Sequence, residues 1–97
     1  MNTTFEKGIL VTTSAVLDRM AEDGRFAAFV NDCLARYNRM DWGDLDEEDA
    51  SCNDAAVSGN DDGILASYER EGFADDKIWI KTEWDRSVTT VLFPCEY

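Results

Sequence analysis

The first half of the chain shows the spacing of apolar residues that is typical of helices. Residues 8–13 (GILVTT) precede it as a short β-branched run ending in hydroxyl residues, which predicts a strand followed by a helix N-cap. A helix is predicted from about 14 to 23, with Gly24 ending it. Its predicted inward side chains are Val16, Leu17 and Met20.

The strongest helical pattern follows Gly24. Apolar residues recur at i, i+3, i+4, i+7, i+8 and i+11, with Arg and Asp residues on the other face, which predicts an amphipathic helix. The apolar positions are Phe26, Phe29, Val30, Cys33, Leu34 and Tyr37. Cys33 is therefore predicted to be a core residue.

The helical period stops in the stretch MDWGDL, residues 40–45. Gly43 interrupts the pattern, and Trp42 is predicted to hold the loop against the domain. Either Asp44 or Asp46 is suited to cap a third helix, because each has an acid three residues later. That helix has few apolar residues and is predicted to lie on the surface with its acids exposed. The residues available to pack are Leu45, Cys52, Ala55, Ala56 and Val57.

The second half of the chain has the pattern of β-strands after a turn at 59–63. Strands are predicted at 64–69, 77–84 and 87–94, with turns at 71–76 and at Asp85-Arg86. Ile78 and Ile80 alternate with Trp79 and Lys81, so one face of the sheet is predicted to meet the core. The sequence therefore predicts a single α+β domain, 1–97, with about three helices packed on one face of a small antiparallel sheet of three or four strands.

The negative charge is confined to the middle of the chain. Residues 40–76 contain thirteen acids and one base, Arg70, which accounts for the whole net charge of −12, whereas 1–39 and 77–97 each sum to zero. The sequence shows no membrane span and no signal peptide, and its three cysteines have no CxxC spacing, so reduced thiols and a cytoplasmic location are expected.

The residue types do not favour an enzyme or a cofactor-binding protein. There is no histidine to activate a Ser or Cys, and no phosphate-binding glycine loop or zinc spacing is present. Residues 58–69 partly match a calcium loop, but Ser58 stands where an aspartate is expected, and a polar turn before a strand is the favoured interpretation. No cofactor or metal is therefore expected.

The acidic residues also argue against direct nucleic-acid binding, because neutralising phosphates requires Lys and Arg. Six acids in residues 41–49, if mostly helical, would lie roughly 2 to 2.5 Å apart along the axis, which approaches the spacing of about 1.7 Å per charge in DNA. A basic DNA-binding groove is therefore the expected partner, with Trp42 as an apolar anchor beside the acids. The predicted partner-binding residues are Asp41, Trp42, Asp44, Asp46, Glu47, Glu48, Asp49, Asp54, Asp61 and Asp62.

Two other interpretations of the same residues remain open. The acids could be a solvated face that keeps a small protein soluble, although bases at i+4, which such a helix normally uses, are missing. Alternatively, the chain could be an adaptor that binds through a sheet edge and the aromatic surface of Trp79, Trp84 and Tyr97. The oligomeric state is left open.

Three stretches of the sequence resemble a family of short acidic proteins carried on bacterial plasmids and other mobile elements. They are DRMAEDGRFAAFV, RYNRMDWGDLDEED and KIWIKTEWDRSVTTVLFPCEY, and the likeness covers nearly the whole length. The chain departs from the family pattern at Trp84 and Cys95, where a small residue and an acid are typical. Members sometimes have a label related to type I restriction and modification, although this chain contains no cofactor loop of a methyltransferase.

The resemblance implies a protein that acts where a mobile element meets host defences. Restriction enzymes and CRISPR complexes hold DNA in basic channels. A small acidic protein from such an element is therefore expected to be a non-enzymatic anti-restriction or anti-CRISPR inhibitor, binding the basic surface of a DNA-binding defence complex as a DNA mimic.

Overall fold

The structure, a computed structural model, describes residues 6–58, 62–70 and 72–97 and has the predicted α+β class. Its helices are α1 (Ser14–Glu22), α2 (Gly24–Asn38) and α3 (Glu47–Val57), and its strands are β1 (Ile9–Thr12), β2 (Ile64–Arg70), β3 (Phe73–Thr82) and β4 (Val88–Leu92). Pro94–Glu96 form a short 3-10 helix. None of the helices in these ranges is long and apolar enough to cross a bilayer.

The four strands form one sheet in the order β1-β4-β3-β2. β2 and β4 each pair with β3 in the antiparallel direction, as predicted, whereas β1 pairs with β4 in the parallel direction. The sheet is therefore mixed rather than wholly antiparallel. The reason is that β1 leads into helices instead of a hairpin, so it joins the sheet beside the last strand of the chain.

The junctions around α1 differ in part from the prediction. Thr13 caps α1 as expected, its Oγ1 accepting a hydrogen bond from the Val16 N–H at 3.3 Å. Gly24 does not end α1, because Asp23 both ends this helix and caps α2, accepting hydrogen bonds from the N–H groups of its first turn. Leu17 is exposed rather than inward, since a nine-residue helix buries only the face that contains Val16.

The core lies between α2 and the face of the sheet toward the helices. Cys33 lies within it as predicted, and burial raises the pKa of its thiol to about 12. The buried apolar residues of the helices are Val16, Phe26, Val30, Cys33, Tyr37 and Ala56, and the buried sheet residues on this face include Ile64, Ala66, Tyr68, Ile78, Ile80 and Val91. This layer of helices on one face of the sheet agrees with the predicted architecture.

The boundaries of β3 also need correction. The predicted turn at 71–76 is too long, because β3 begins at Phe73 and β2 ends at Arg70. The paired strands tolerate this short connection through a register shift between Glu69 and Arg70. At its other end β3 stops at Thr82, so Trp84 lies in the turn to β4 and not in a strand.

Candidate functional site

Residues 41–58, which we call the acidic segment, run along the free edge of β2. The Ser67 N–H donates to the Trp42 carbonyl at 3.3 Å, and the Asp44 N–H donates to the Ser67 carbonyl at 2.7 Å. Farther along β2, the Glu69 N–H donates to Asp44 Oδ2 at 2.8 Å. The start of the acidic segment therefore occupies the place of a neighbouring strand, with Gly43 in a parallel bridge to Ser67.

Gly43 is required for this close approach. Its φ is +77°, and a Cβ at this position would lie 2.1 Å from the Ser67 carbonyl oxygen. Only glycine adopts the left-handed conformation without a side-chain penalty while allowing the two backbones to meet.

Trp42 is buried and packs inside the domain. Its indole ring contacts Tyr37 edge-on, with the ring centroids 5.3 Å apart, and its Nε1 donates to Asp54 Oδ1 at 3.0 Å. The prediction that Trp42 holds the loop against the domain is confirmed. The prediction that Trp42 serves as an apolar anchor for a partner is wrong, because its side chain is buried.

Asp41 forms an ion pair with Arg36. Arg36 donates to it from Nε at 2.8 Å and from Nη2 at 3.2 Å, and the Gly43 N–H donates to Oδ1 at 3.1 Å. The hydrogen bond from Arg36 is the main cause that lowers the pKa of Asp41. Asp41 therefore contributes to the loop structure, and Arg36 neutralises its charge.

The third helix begins at the second of the two predicted caps. Asp46 Oδ1 accepts a hydrogen bond from the Asp49 N–H at 2.8 Å. Asp44 instead accepts a hydrogen bond from the Glu69 N–H of β2. Glu47, Glu48 and Asp49 occupy the first turn, where the positive end of the helix dipole stabilises negative charge. The segment 41–49 is therefore helical only from Glu47, and the DNA-like linear charge spacing predicted for all of it does not hold.

The packing face of α3 was predicted only in part. Ala56 is buried and Val57 and Leu45 are partly buried, as expected, but Cys52 and Ala55 are exposed. The residue that the sequence analysis missed is Asn53, which is buried against β2. Asn53 lies three residues before Ala56 and therefore on the same face of the helix, which could have indicated that it packs inward. Because its side chain is polar, the apolar pattern did not include it.

Six of the predicted site acids are exposed on or beside α3. They are Asp44, Asp46, Glu47, Glu48, Asp49 and Asp54. None of the six forms an ion pair with a Lys or Arg within the described ranges. We call these residues the acidic cluster. Asp62 is also exposed, just before β2, whereas Asp61 lies outside the described residues.

Arg86 fixes the far end of α3 and was not predicted as part of the site. Its Nη2 donates to the Ala56 carbonyl at 2.7 Å, and its Nη1 donates to the Asp62 carbonyl at 2.9 Å. Nη1 also lies within hydrogen-bonding distance of the Glu83 and Trp84 carbonyls. The guanidinium therefore joins the negative end of α3 to the β3–β4 turn, a contact across thirty residues that no local pattern indicates.

The partial calcium motif at 58–69 does not form a helix–loop–helix unit. Ser58 caps the end of α3, and the segment from Ile64 to Arg70 is strand β2, as the favoured interpretation predicted. Glu69, which would be the last ligand, has its Oε1 3.9 Å from Lys77 Nζ. Asn60 lies outside the described residues, and the rest of the described chain contains no group of three potential metal ligands.

The predicted aromatic surface is formed on the other face of the sheet and at the turn that follows β3. Trp84 is 62% exposed and Tyr97 is 70% exposed, while Trp79 is half-buried and contacts Tyr97 edge-on at 5.3 Å. Lys81 Nζ lies 5.2 Å from the centre of the Tyr97 ring. These four side chains form an open aromatic surface that is separate from the acidic cluster.

Comparison of the chain with protein-family models, curated proteins and solved structures gave no significant match. The family resemblance seen in the sequence therefore stays a prediction.

Proposed function

We propose that this protein is a non-enzymatic inhibitor that acts in the bacterial cytoplasm on a host DNA-targeting defence complex, a restriction or CRISPR system. In this proposal the acidic cluster occupies a basic DNA-binding surface in place of phosphates. The observation that carries the proposal is that six exposed carboxylates lie at one edge of the domain without a basic partner in the described ranges.

Folding accounts for only part of this concentration of charge. Asp46 caps α3, and Asp44 and Asp54 each accept a hydrogen bond, but no base within the described ranges compensates their charges. Like charges on neighbouring helical positions repel, and a helix that is only solvated commonly places bases four residues from its acids. The helix α3 contains no basic residue, and the Arg86 guanidinium reaches only its C-terminal end. A basic partner would supply positive charge along the rest of the helix and would bind faster at low salt.

Two acids of the cluster lie on the same side of α3. Glu47 and Asp54 are two helical turns apart, so their Cα atoms are separated by about 10.5 Å along the axis. A basic groove that accepts α3 would therefore meet carboxylates at two points along the helix.

The acidic cluster is held in place by partly buried contacts. Asn53 bonds the middle of α3 to β2, Arg86 bonds its C-terminal end to the β3–β4 turn, and the Trp42 indole bonds Asp54. The acidic cluster is therefore already ordered before it binds, so association loses little side-chain and loop entropy.

The test is capture of partners from bacterial lysate with matched triple variants. The first is Glu47→Gln/Glu48→Gln/Asp54→Asn, and the control is Asp18→Asn/Glu22→Gln/Asp32→Asn, which removes the same charge from exposed positions of α1 and α2. We expect the wild type and the control to retain a nuclease or CRISPR complex that salt and duplex DNA both release. The first variant should lose it, and equal retention by both variants would contradict the proposal.

The exposed aromatic surface favours a second candidate function, that of an adaptor. Solvated Trp and Tyr side chains of the kind seen at Trp84 and Tyr97 are common in binding hot spots. In this case Trp84→Ala would abolish capture, the acidic variants would retain it, and duplex DNA would not release the bound protein.

A further inference from the structure

One edge strand of the sheet is covered by another segment of the chain, whereas the outer side of the other edge strand is not paired with a strand of the described chain. The β2 edge is covered by the acidic segment, which bonds Leu65, Ser67 and Glu69. The other edge is β1, with the sequence ILVT and with no strand of the described chain on its outer side. Lys, Pro and bulges are common means of protecting an exposed edge from pairing. β1 contains none of them, so only its short length of four residues limits pairing at this edge.

The backbone of β1 presents hydrogen-bonding groups outward. The Ile9 N–H donates to Ser87 and the Thr13 N–H donates to Val91, so the odd-numbered residues face β4. Because backbone groups alternate in direction along a strand, the N–H and C=O groups of Leu10 and Thr12 point away from the sheet. These two residues offer two donors and two acceptors in the plane of the sheet.

The side chains of β1 are also unusually exposed for apolar residues. Ile9, Leu10 and Val11 are 70%, 53% and 39% exposed. Beside the strand, an apolar cavity of about 360 Å³ is lined by Leu10 and by Leu34 and Ala35 of α2. A partner strand on this edge would therefore gain apolar contacts as well as backbone hydrogen bonds.

We propose that the occupant of this edge is a second copy of the chain, paired antiparallel through β1 with Val11 on the two-fold axis. Leu10 then faces Thr12 of the partner subunit, and the two exchange both backbone hydrogen bonds. The same exchange occurs on the other side of the axis, which gives four bonds and a continuous eight-stranded sheet. Such a contact is isologous and closed, so it ends at a dimer.

The charge distribution favours this pairing over contact through any other edge. Residues 1–39, which contain β1, have zero net charge. Three strand spacings separate β1 from β2, so the two acidic segments in the dimer would be roughly 40 Å apart. This separation is several times the Debye length of about 8 Å at physiological ionic strength, so repulsion between the two copies is screened.

A register-specific disulfide tests the contact. In a Cys52→Ser/Cys95→Ser background, Val11→Cys would place two thiols opposite each other in a non-hydrogen-bonded pair, with Cα atoms about 4.5 Å apart. Leu10→Cys is the matched control, because the two copies of residue 10 would lie roughly 8 Å apart, beyond the reach of a disulfide. We expect oxidised glutathione to give a covalent dimer with Val11→Cys only. Equal crosslinking of both variants, or of neither, would overturn the proposed pairing.

Sedimentation equilibrium tests the dimer without new cysteines. Val11→Lys places two like charges next to each other at the axis and should raise the dimer dissociation constant at least tenfold. Ser51→Lys adds the same charge to the exposed face of α3 and should leave the constant unchanged. A wild-type protein that stays monomeric up to millimolar concentration would overturn the proposal, as would a folded Val11→Lys variant that dimerises like the wild type.

Discussion

The side-chain amide of Asn53 pairs with the backbone of Leu65 in the manner of a neighbouring strand. Asn53 Nδ2 donates to the Leu65 carbonyl at 2.9 Å, and the Leu65 N–H donates to Asn53 Oδ1 at 3.3 Å. A helix residue thereby satisfies both backbone groups that an edge strand would otherwise leave open. This contact fixes the distance of α3, and of the acids on its outer side, from the sheet.

Replacing Asn53 by leucine should destabilise the protein. The volume is similar, but the partly buried Leu65 N–H and C=O would lose their partners, which costs about 1 to 3 kcal/mol. Urea unfolding should show this loss, and the melting temperature should fall by about 10 °C or more. Ser51→Ala, on the exposed face of the same helix, is the control and should change little. Equal stability of the two variants would mean that Asn53 does not hold α3.

Arg86→Lys should weaken the attachment of the far end of α3. A lysine keeps the charge but cannot bridge Ala56 and Asp62 with the planar fork that the guanidinium provides. We expect a loss of about 1.5 to 3 kcal/mol in the free energy of unfolding. In this variant, amide hydrogen exchange at residues 54–58 should be faster than in the wild type, whereas exchange in α2 should change less. Unchanged exchange there would show that the carbonyls do not depend on Arg86.

The elements of the fold that were predicted correctly are those determined by the periodic spacing of apolar residues within one segment of the chain. The apolar spacing from Phe26 to Tyr37 determines α2, and the alternation at Ile78 and Ile80 determines the inner face of β3. The position of β1 could not be predicted, because meander and crossover connections have the same local pattern. Its parallel partner is chosen by contacts between residues about eighty positions apart.

The candidate site was predicted by composition but not by geometry. Charge counting located the acids of 41–62, yet it could not separate Asp41, which Arg36 neutralises, from Glu47 or Asp54, which face solvent. Trp42 has the residue type of a binding anchor, and only the tertiary contact with Tyr37 shows it to be internal. Such distinctions depend on long-range packing, which a single sequence does not display.

Asp54→Asn should stabilise the protein while it removes a charge from the acidic cluster. The amide oxygen can still accept the hydrogen bond from Trp42 Nε1, and the unfavourable negative charge near the C-terminal end of α3 is lost. The expected gain is about 0.3 to 1 kcal/mol at low salt. Asp54→Ala, in contrast, removes the acceptor and should be destabilising. If both variants behave alike in thermal unfolding, the indole hydrogen bond does not contribute.

A chain of buried hydroxyl groups joins α2 to β3, β4 and the segment before β1. The Thr89 hydroxyl donates to the Lys7 carbonyl at 2.7 Å, so it accepts from Thr82 at 2.7 Å, and Thr82 accepts from Tyr37 at 2.6 Å. The direction of every proton is thereby fixed. Burial raises the pKa of Tyr37, which keeps this phenol a donor.

Tyr37→Phe should therefore cost about 1 to 2 kcal/mol, because the first donor of the chain is lost and the ring packing is kept. Thr82→Val interrupts the chain in the middle and should cost more. Urea unfolding of both variants and of the double variant measures the coupling, and purely additive losses would show that the hydroxyls act independently.

Asp41 predicts a pH dependence with a defined sign. Its pKa is lowered in the folded protein by Arg36, so the stabilisation is present above the ordinary value of 3.8 and is lost as the pH falls through the lower folded value. Asp41→Asn should therefore be less stable than the wild type at pH 7. Since both partners are more than a third exposed, a difference of only about 0.5 to 1 kcal/mol is expected. Urea unfolding from pH 7 to pH 2.5 should show the two proteins converging below pH 3.8, whereas a constant difference would assign the effect to the amide rather than to the charge.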